Sequence, residues 1–100
     1  MAREYRSYQD AVIEHLKDDF ELQKAYLQQA IEEYNEDGNE QALLMALRHV
    51  IDAQGGIPAL TEKTSYPKQT LYQAFSEKGN PRFSTLMSVF RALGMKLSVS

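Results

Sequence analysis

Lys68, Gln69, Thr70, Tyr72 and Gln73 place five hydrogen-bonding side chains within six residues, with no acidic group among them. If this stretch is helical, Leu71, Ala74 and Phe75 turn inward and those five turn outward. Gln can pair bidentately with adenine, and Lys with guanine or a phosphate oxygen, so such a face suits the major groove of double-stranded DNA. Tyr72 has two readings, stacking or phosphate contact on the one hand and burial against the next helix on the other. Lys78, Asn80 and Arg82 follow in a loop that either meets phosphates, aided by the N-terminus of the following helix, or is a solvated turn at Asn80-Pro81. A second cluster is acidic: Glu32, Glu33, Glu36, Asp37 and Glu40 make either a solvated helix face or a surface complementary to a basic protein.

Catalytic and metal chemistry find little to work with. The sequence has 0 Cys, so there is no thiolate nucleophile, thiolate metal site or disulfide. His15 and His49 fall on separate predicted helices without a ligand signature, and His15 with Asp19 at i,i+4 is an exposed helix pair before it is a weak metal site. Gly55-Gly56 is a helix stop, because no Lys-Ser/Thr follows as a phosphate-binding loop requires. We therefore expect no enzyme, no metal and no cofactor.

The elements that must position these residues are helices. Tyr8, Val12, Ile13 and Leu16 recur at helical spacing over residues 7–17, with Ser7 as the expected N-cap. The run Asp18-Asp19-Phe20-Glu21 starts a second helix on a carboxylate cap, puts Leu22, Tyr26, Leu27, Ala30, Ile31 and Tyr34 on one stripe, and ends near Gly38. A third, over residues 40–53, buries Leu43, Leu44, Leu47, Val50 and Ile51. Beyond Gly56 the helices shorten. Pro58 and Pro67 mark first turns, the turn between them lies at Ser65-Tyr66, and the second short helix runs to about Ser76. Phe83, Leu86, Met87, Phe90 and Leu93 form a last stripe, ended by Gly94. Residues 95–99 alternate apolar and polar, the pattern of one short strand, whose free edge a dimer mate can pair.

With 100 residues, 43% hydrophobic and 25% charged, the chain fits one domain, divided into acidic helices over about 1–54, a DNA-binding core over 55–94 and a terminal strand over 95–100. No apolar run approaches the ~20 residues of a membrane helix, and the absence of Cys fits a reducing cytoplasm. The net charge of −3 is the wrong quantity to read. Residues 1–54 hold five basic and twelve acidic side chains, a net −7, whereas residues 55–100 hold six basic and two acidic, a net +4. That polarity points to an anionic partner for the second half.

Residues 57–75 have the form of a helix-turn-helix, in which Leu60, Tyr66, Leu71 and Ala74 join two short helices and free the outer face of the second; a plain helical hairpin is the alternative. Here the chain resembles a known family. Gly-Ile-Pro-Ala-Leu-Thr-Glu-Lys-Thr at 56–64, Thr-Leu-Tyr-Gln-Ala-Phe-Ser at 70–76, Gly-Asn-Pro-Arg-Phe-Ser-Thr-Leu at 79–86 and Arg-Ala-Leu-Gly-Met-Lys-Leu-Ser-Val at 91–99 look like the Xre-type, lambda-repressor-like family. More narrowly, they resemble the HigA-type addiction-module antidotes, and the likeness extends upstream through Tyr26–Ala30 and Ala42–Leu47. The chain departs from that pattern at Thr61, where Ala is common, at Ser65, where Gly is preferred, and at Tyr66, where an aliphatic residue is usual. The resemblance implies an all-α lambda-repressor-like domain with an N-terminal helical extension, dimeric, binding its own operator. It also implies a co-encoded toxin of the RelE/HigB ribonuclease class, which the acidic helices would cover. A free-standing regulator and a protein-binding antidote without DNA binding are the alternatives.

Overall fold

The computed structural model describes the backbone of residues 2–96 and the side chains of residues 8–96, and it divides into two units, Met1–Gln54 and Gly55–Ser100. The described residues form six helices and no strand: α1 (Ala2–Leu16), α2 (Phe20–Asp37), α3 (Glu40–Ala53), α4 (Gly56–Lys63), α5 (Lys68–Ala74) and α6 (Phe83–Ala92). Three belong to each unit. The boundary coincides with the change from net negative to net positive sequence.

In the first unit α3 packs against both α1 and α2. Leu16, Leu27, Leu47, Val50 and Ile51 form its core, each at most 3% exposed. Burying a side chain of this size contributes about 1.5–3 kcal/mol, so these contacts outweigh the propensity of any one helix. The helix ends are set locally. Asp19 Oδ1 accepts from Leu22 N–H at 3.0 Å and Asn39 Oδ1 from Ala42 N–H at 3.1 Å, satisfying donors that the first turns of α2 and α3 leave open. Gly38, at φ 67°, closes α2 by donating its N–H to Tyr34 O at 2.7 Å.

Some expected details fall differently. Ser7 lies inside α1 and not at its start, because the helix begins at Ala2. Asp19 caps α2, while Asp18 takes the left-handed conformation, φ 58°, of the turn before it. Leu22 is 39% exposed, and its neighbour Gln23 is buried instead. Gln23 Nε2 donates to the Leu16 carbonyl at 2.8 Å, at the open end of α1, and its Oε1 accepts from Gln54 Nε2 at 2.8 Å. A helix end needing a donor outweighed the apolar stripe.

In the second unit α4 packs against both α5 and α6 around Ile57, Leu60, Leu71, Val89 and Leu93. Pro58 lies in the first turn of α4, as its missing N–H favours. Pro67 stands one step earlier than expected, as the extended N-cap residue of α5, and α5 ends at Ala74 with Phe75 as C-cap. Phe83 was expected on the inner stripe of α6 but is 75% exposed, and Thr85 is buried in its place. Met95 and Lys96 are not in a strand, and the rest of the expected terminal strand lies outside the described residues.

Candidate functional site

Leu71 is fully buried, which fixes the rotation of α5 and turns Lys68, Gln69, Thr70, Tyr72 and Gln73 to solvent together. Tyr72 is 42% exposed and so is not buried against the next helix. Lys68, Gln69, Tyr72 and Gln73 line one shallow groove with Ser76. A second depression brings Thr70 and Gln73 together with Asn80, Arg82, Tyr66 and Thr85. Two of the three predicted loop residues thus join the helix face, and Lys78 is exposed in the turn between them, lining neither depression.

The turn after α5 depends on Gly79, whose N–H donates to Ser76 O at 2.9 Å. A Cβ at that position would overlap the carbonyl oxygens of Gln73 and Ala74. Only glycine lets the chain pass this closely under the end of α5 and bring Asn80 and Arg82 back toward Thr70.

One further residue, Tyr66, read from the sequence as joining the two short helices, lines the second depression. Tyr66 is half-buried, and its phenol is held below the usual tyrosine range by side-chain hydrogen bonds with Thr85, then Ser88 and Ser84, with the Arg82 charge adding to them. The signal was the hydroxyl triad Ser84, Thr85 and Ser88 at helical spacing, which puts all three where one phenol can meet them. Thr61, on α4, lines neither depression. Its Oγ1 is buried without a hydrogen-bond partner among the described residues.

The predicted acidic residues are all exposed: Glu32, Glu33, Glu36 and Asp37 on the last turns of α2, and Glu40 at the start of α3. Glu33 and Asp37 also line a cleft of about 310 Å³ with Tyr8, Tyr26, Tyr34 and Met45, whereas Glu32, Glu36 and Glu40 do not. His49 forms part of its floor. Tyr26 Oη lies 2.7 Å from His49 Nδ1, and the other ring nitrogen meets Gln9 Oε1. If Nε2 carries the proton and donates to Gln9, Nδ1 accepts from Tyr26, so one neutral imidazole joins all three helices of this unit. Burial holds the His49 pKa below its usual range, opposed by the Asp52 charge. Burial, then Tyr8 and Glu33, push the Tyr26 phenol up. Among the described residues no group of three or more His, Asp or Glu is gathered as a metal site, and no helix is long and apolar enough to cross a membrane.

An uncharacterized protein of Haemophilus influenzae (strain Rd KW20) is 32% identical over 88 residues, covering 88% of this chain and 84% of that protein. No solved structure matches the chain. The family model described as probable addiction module antidote protein matches residues 7–100, almost the whole chain, and with that match the protein belongs to the addiction-module antidote family.

Proposed function

We propose that this antidote is a DNA-binding antitoxin that represses its own operon and neutralises a co-encoded ribonuclease toxin of the RelE/HigB class. The observation that carries the DNA reading is the outer face of α5, where Lys68, Gln69, Thr70, Tyr72 and Gln73 are exposed together on a buried Leu71. In this reading the α4–α5 pair is a helix-turn-helix whose second helix enters the major groove. Gln69 and Gln73 offer amides to base edges, and Lys68, Arg82 and Lys78 neutralise phosphates. A dimer would present two such helices about one DNA turn apart on a palindromic operator.

The toxin reading draws on family membership and on the placement of charge. Glu32, Glu33, Glu36 and Asp37 crowd the C-terminal end of α2, whose last turn has no basic residue. Glu36 and Asp37 lie in the last turn, at the negative end of the helix dipole, where a carboxylate costs about 0.3–1 kcal/mol. A basic toxin surface would offset that cost on binding.

The test is a fluorescence-anisotropy titration of the full chain against the DNA upstream of its own gene, beside random DNA of equal length, at several salt concentrations. The expected result is sequence-preferring binding that weakens steeply with salt. Equal, weak binding to both DNAs would remove the repressor reading and leave a protein-binding antidote.

A further inference from the structure

Two exposed apolar side chains of the first unit border one cleft. Tyr8 on α1 is 67% exposed and Met45 on α3 is 55% exposed, and both line the cleft that also contains Tyr26 and Tyr34. Single exposed apolar residues are ordinary, but several around one concavity mark a contact site. At about 310 Å³ the cleft has room for one or two side chains and not for a folded ligand.

Its charged lining is of one sign. Glu33 and Asp37 stand at its edge, and both accept from neutral donors: Glu33 from Gln29 Nε2 at 3.2 Å, and Asp37 from Asn39 N–H at 2.9 Å. The lysines and the arginine described in this unit pair elsewhere, Lys17 with Glu14, Lys24 with Glu21 and Arg48 with Asp52. Tyrosine faces beside carboxylates that have no ion pair among the described residues attract a cation, the rings through their quadrupole and the carboxylates through charge and hydrogen bonds. The negative end of the α2 dipole acts in the same direction.

We infer that this tyrosine-walled cleft is a socket for one arginine or lysine side chain of a basic protein partner, with Glu33 and Asp37 meeting the charged head and Tyr8, Tyr34 and Met45 covering its stem. The identity of that partner as the toxin rests on the function proposed above; the socket does not. The acidic unit of a second copy is a poor occupant, because the sequence of this half has a net charge of −7.

The experiment titrates the isotope-labelled full chain with N-acetyl-arginine methylamide and, separately, with its neutral isostere N-acetyl-citrulline methylamide, following chemical shifts. The arginine probe should shift Tyr8, Tyr34 and Met45 together and the citrulline probe should not. Glu33→Gln with Asp37→Asn should weaken binding roughly fivefold, as expected for two partly exposed ion pairs. Tyr34→Phe should retain binding and Tyr34→Leu should lose most of it. Shifts spread equally over Asp10, Glu14 and Glu21, or equal responses to both probes, would overturn the socket. In a second arm, the co-encoded toxin should bind the double variant at least about tenfold more weakly than wild type. Toxin binding untouched by that variant overturns the socket as its anchor while the antitoxin reading stands. A toxin that never binds wild type, with the arginine probe still seated, removes that reading and keeps the socket. Self-association abolished by the double variant would assign the cleft to a second copy and overturn the inference.

Discussion

Replacing Thr61 by Val should stabilise the Gly55–Ser100 unit, an unusual outcome for a substitution in a packed helix pair. Thr61 sits on α4, and its Oγ1 is buried with no hydrogen-bond partner among the described residues. Leaving such a group desolvated costs about 1–3 kcal/mol. Val puts a methyl where the hydroxyl was, keeps the β-branch and the volume, and has nearly the same helix propensity, so little offsets the gain. The expected net effect is about +1 kcal/mol. With an m-value near ~1–2 kcal/mol/M in urea, the midpoint should rise by roughly 0.5–1 M. Thr61→Ala separates the causes, because it removes the hydroxyl but also about one buried methyl, about 0.8 kcal/mol, and so should fall close to neutral. The assay is urea denaturation read at the amides of Leu71 and Val89, both fully buried in this unit, so that unfolding of the other unit does not enter. Loss of about 0.5 kcal/mol or more in Thr61→Val would mean that the hydroxyl is satisfied, and the account of this position would be wrong.

Gly79→Ala should destabilise the second unit by ~2–4 kcal/mol, because its Cβ meets the backbone carbonyls of Gln73 and Ala74, whereas Gly38→Ala, with open space around its Cβ, should cost only the ~1–2 kcal/mol of left-handed backbone; urea midpoints of the two variants compare them, and equal losses would refute the steric argument. Gln69→Ala should weaken operator binding by ~1–3 kcal/mol and binding to random DNA little, measured by anisotropy; equal losses on both would count against base contact. His49, whose folded pKa is lowered, takes up a proton more readily in the unfolded chain, so its contribution to stability is complete above the unfolded value of about 6.5 and is lost as pH falls below it toward the folded value. Urea midpoints of the first unit should therefore drop from pH 7 to pH 5, and less steeply in His49→Gln; identical slopes in the two proteins would refute the linkage.

The helices were legible because their ends are written locally. Asn39, Gly38 and Gly55 each act within a few residues of themselves, and helical spacing of Leu47, Val50 and Ile51 names the buried face of α3 without reference to the rest of the chain. The outer face of α5 was legible for the same reason, since burial of Leu71 determines where its neighbours point. What escaped were positions decided by a distant element. Leu22 and Gln23 are adjacent on α2, and which one turns inward depends on the Leu16 carbonyl of another helix. His49 joins Gln9 and Tyr26 across sequence separations of 40 and 23 residues, which no periodicity reports. Phe83 looked like core by type and spacing, but it is the first residue of α6, where a side chain can project past the packed turns.

Under the proposed function the antidote serves two partners of opposite sign, and the separation of charge along its sequence bears on how it does so. A surface that held Lys68, Arg82, Glu33 and Asp37 together would neutralise itself, and both partners would have to displace internal ion pairs before binding. Here each set belongs to a different unit with its own core, and among the described residues the cleft carboxylates accept from neutral donors. Each proposed surface therefore presents its full charge to its partner, at a cost borne locally, in the case of α2 by acidic residues at the wrong end of a helix dipole. On this reasoning, neutralising Glu33 and Asp37 should leave operator affinity and its salt slope unchanged, and removing Lys68 should leave toxin affinity unchanged. Coupling between the two in such a pair of variants would mean that the two surfaces share one field.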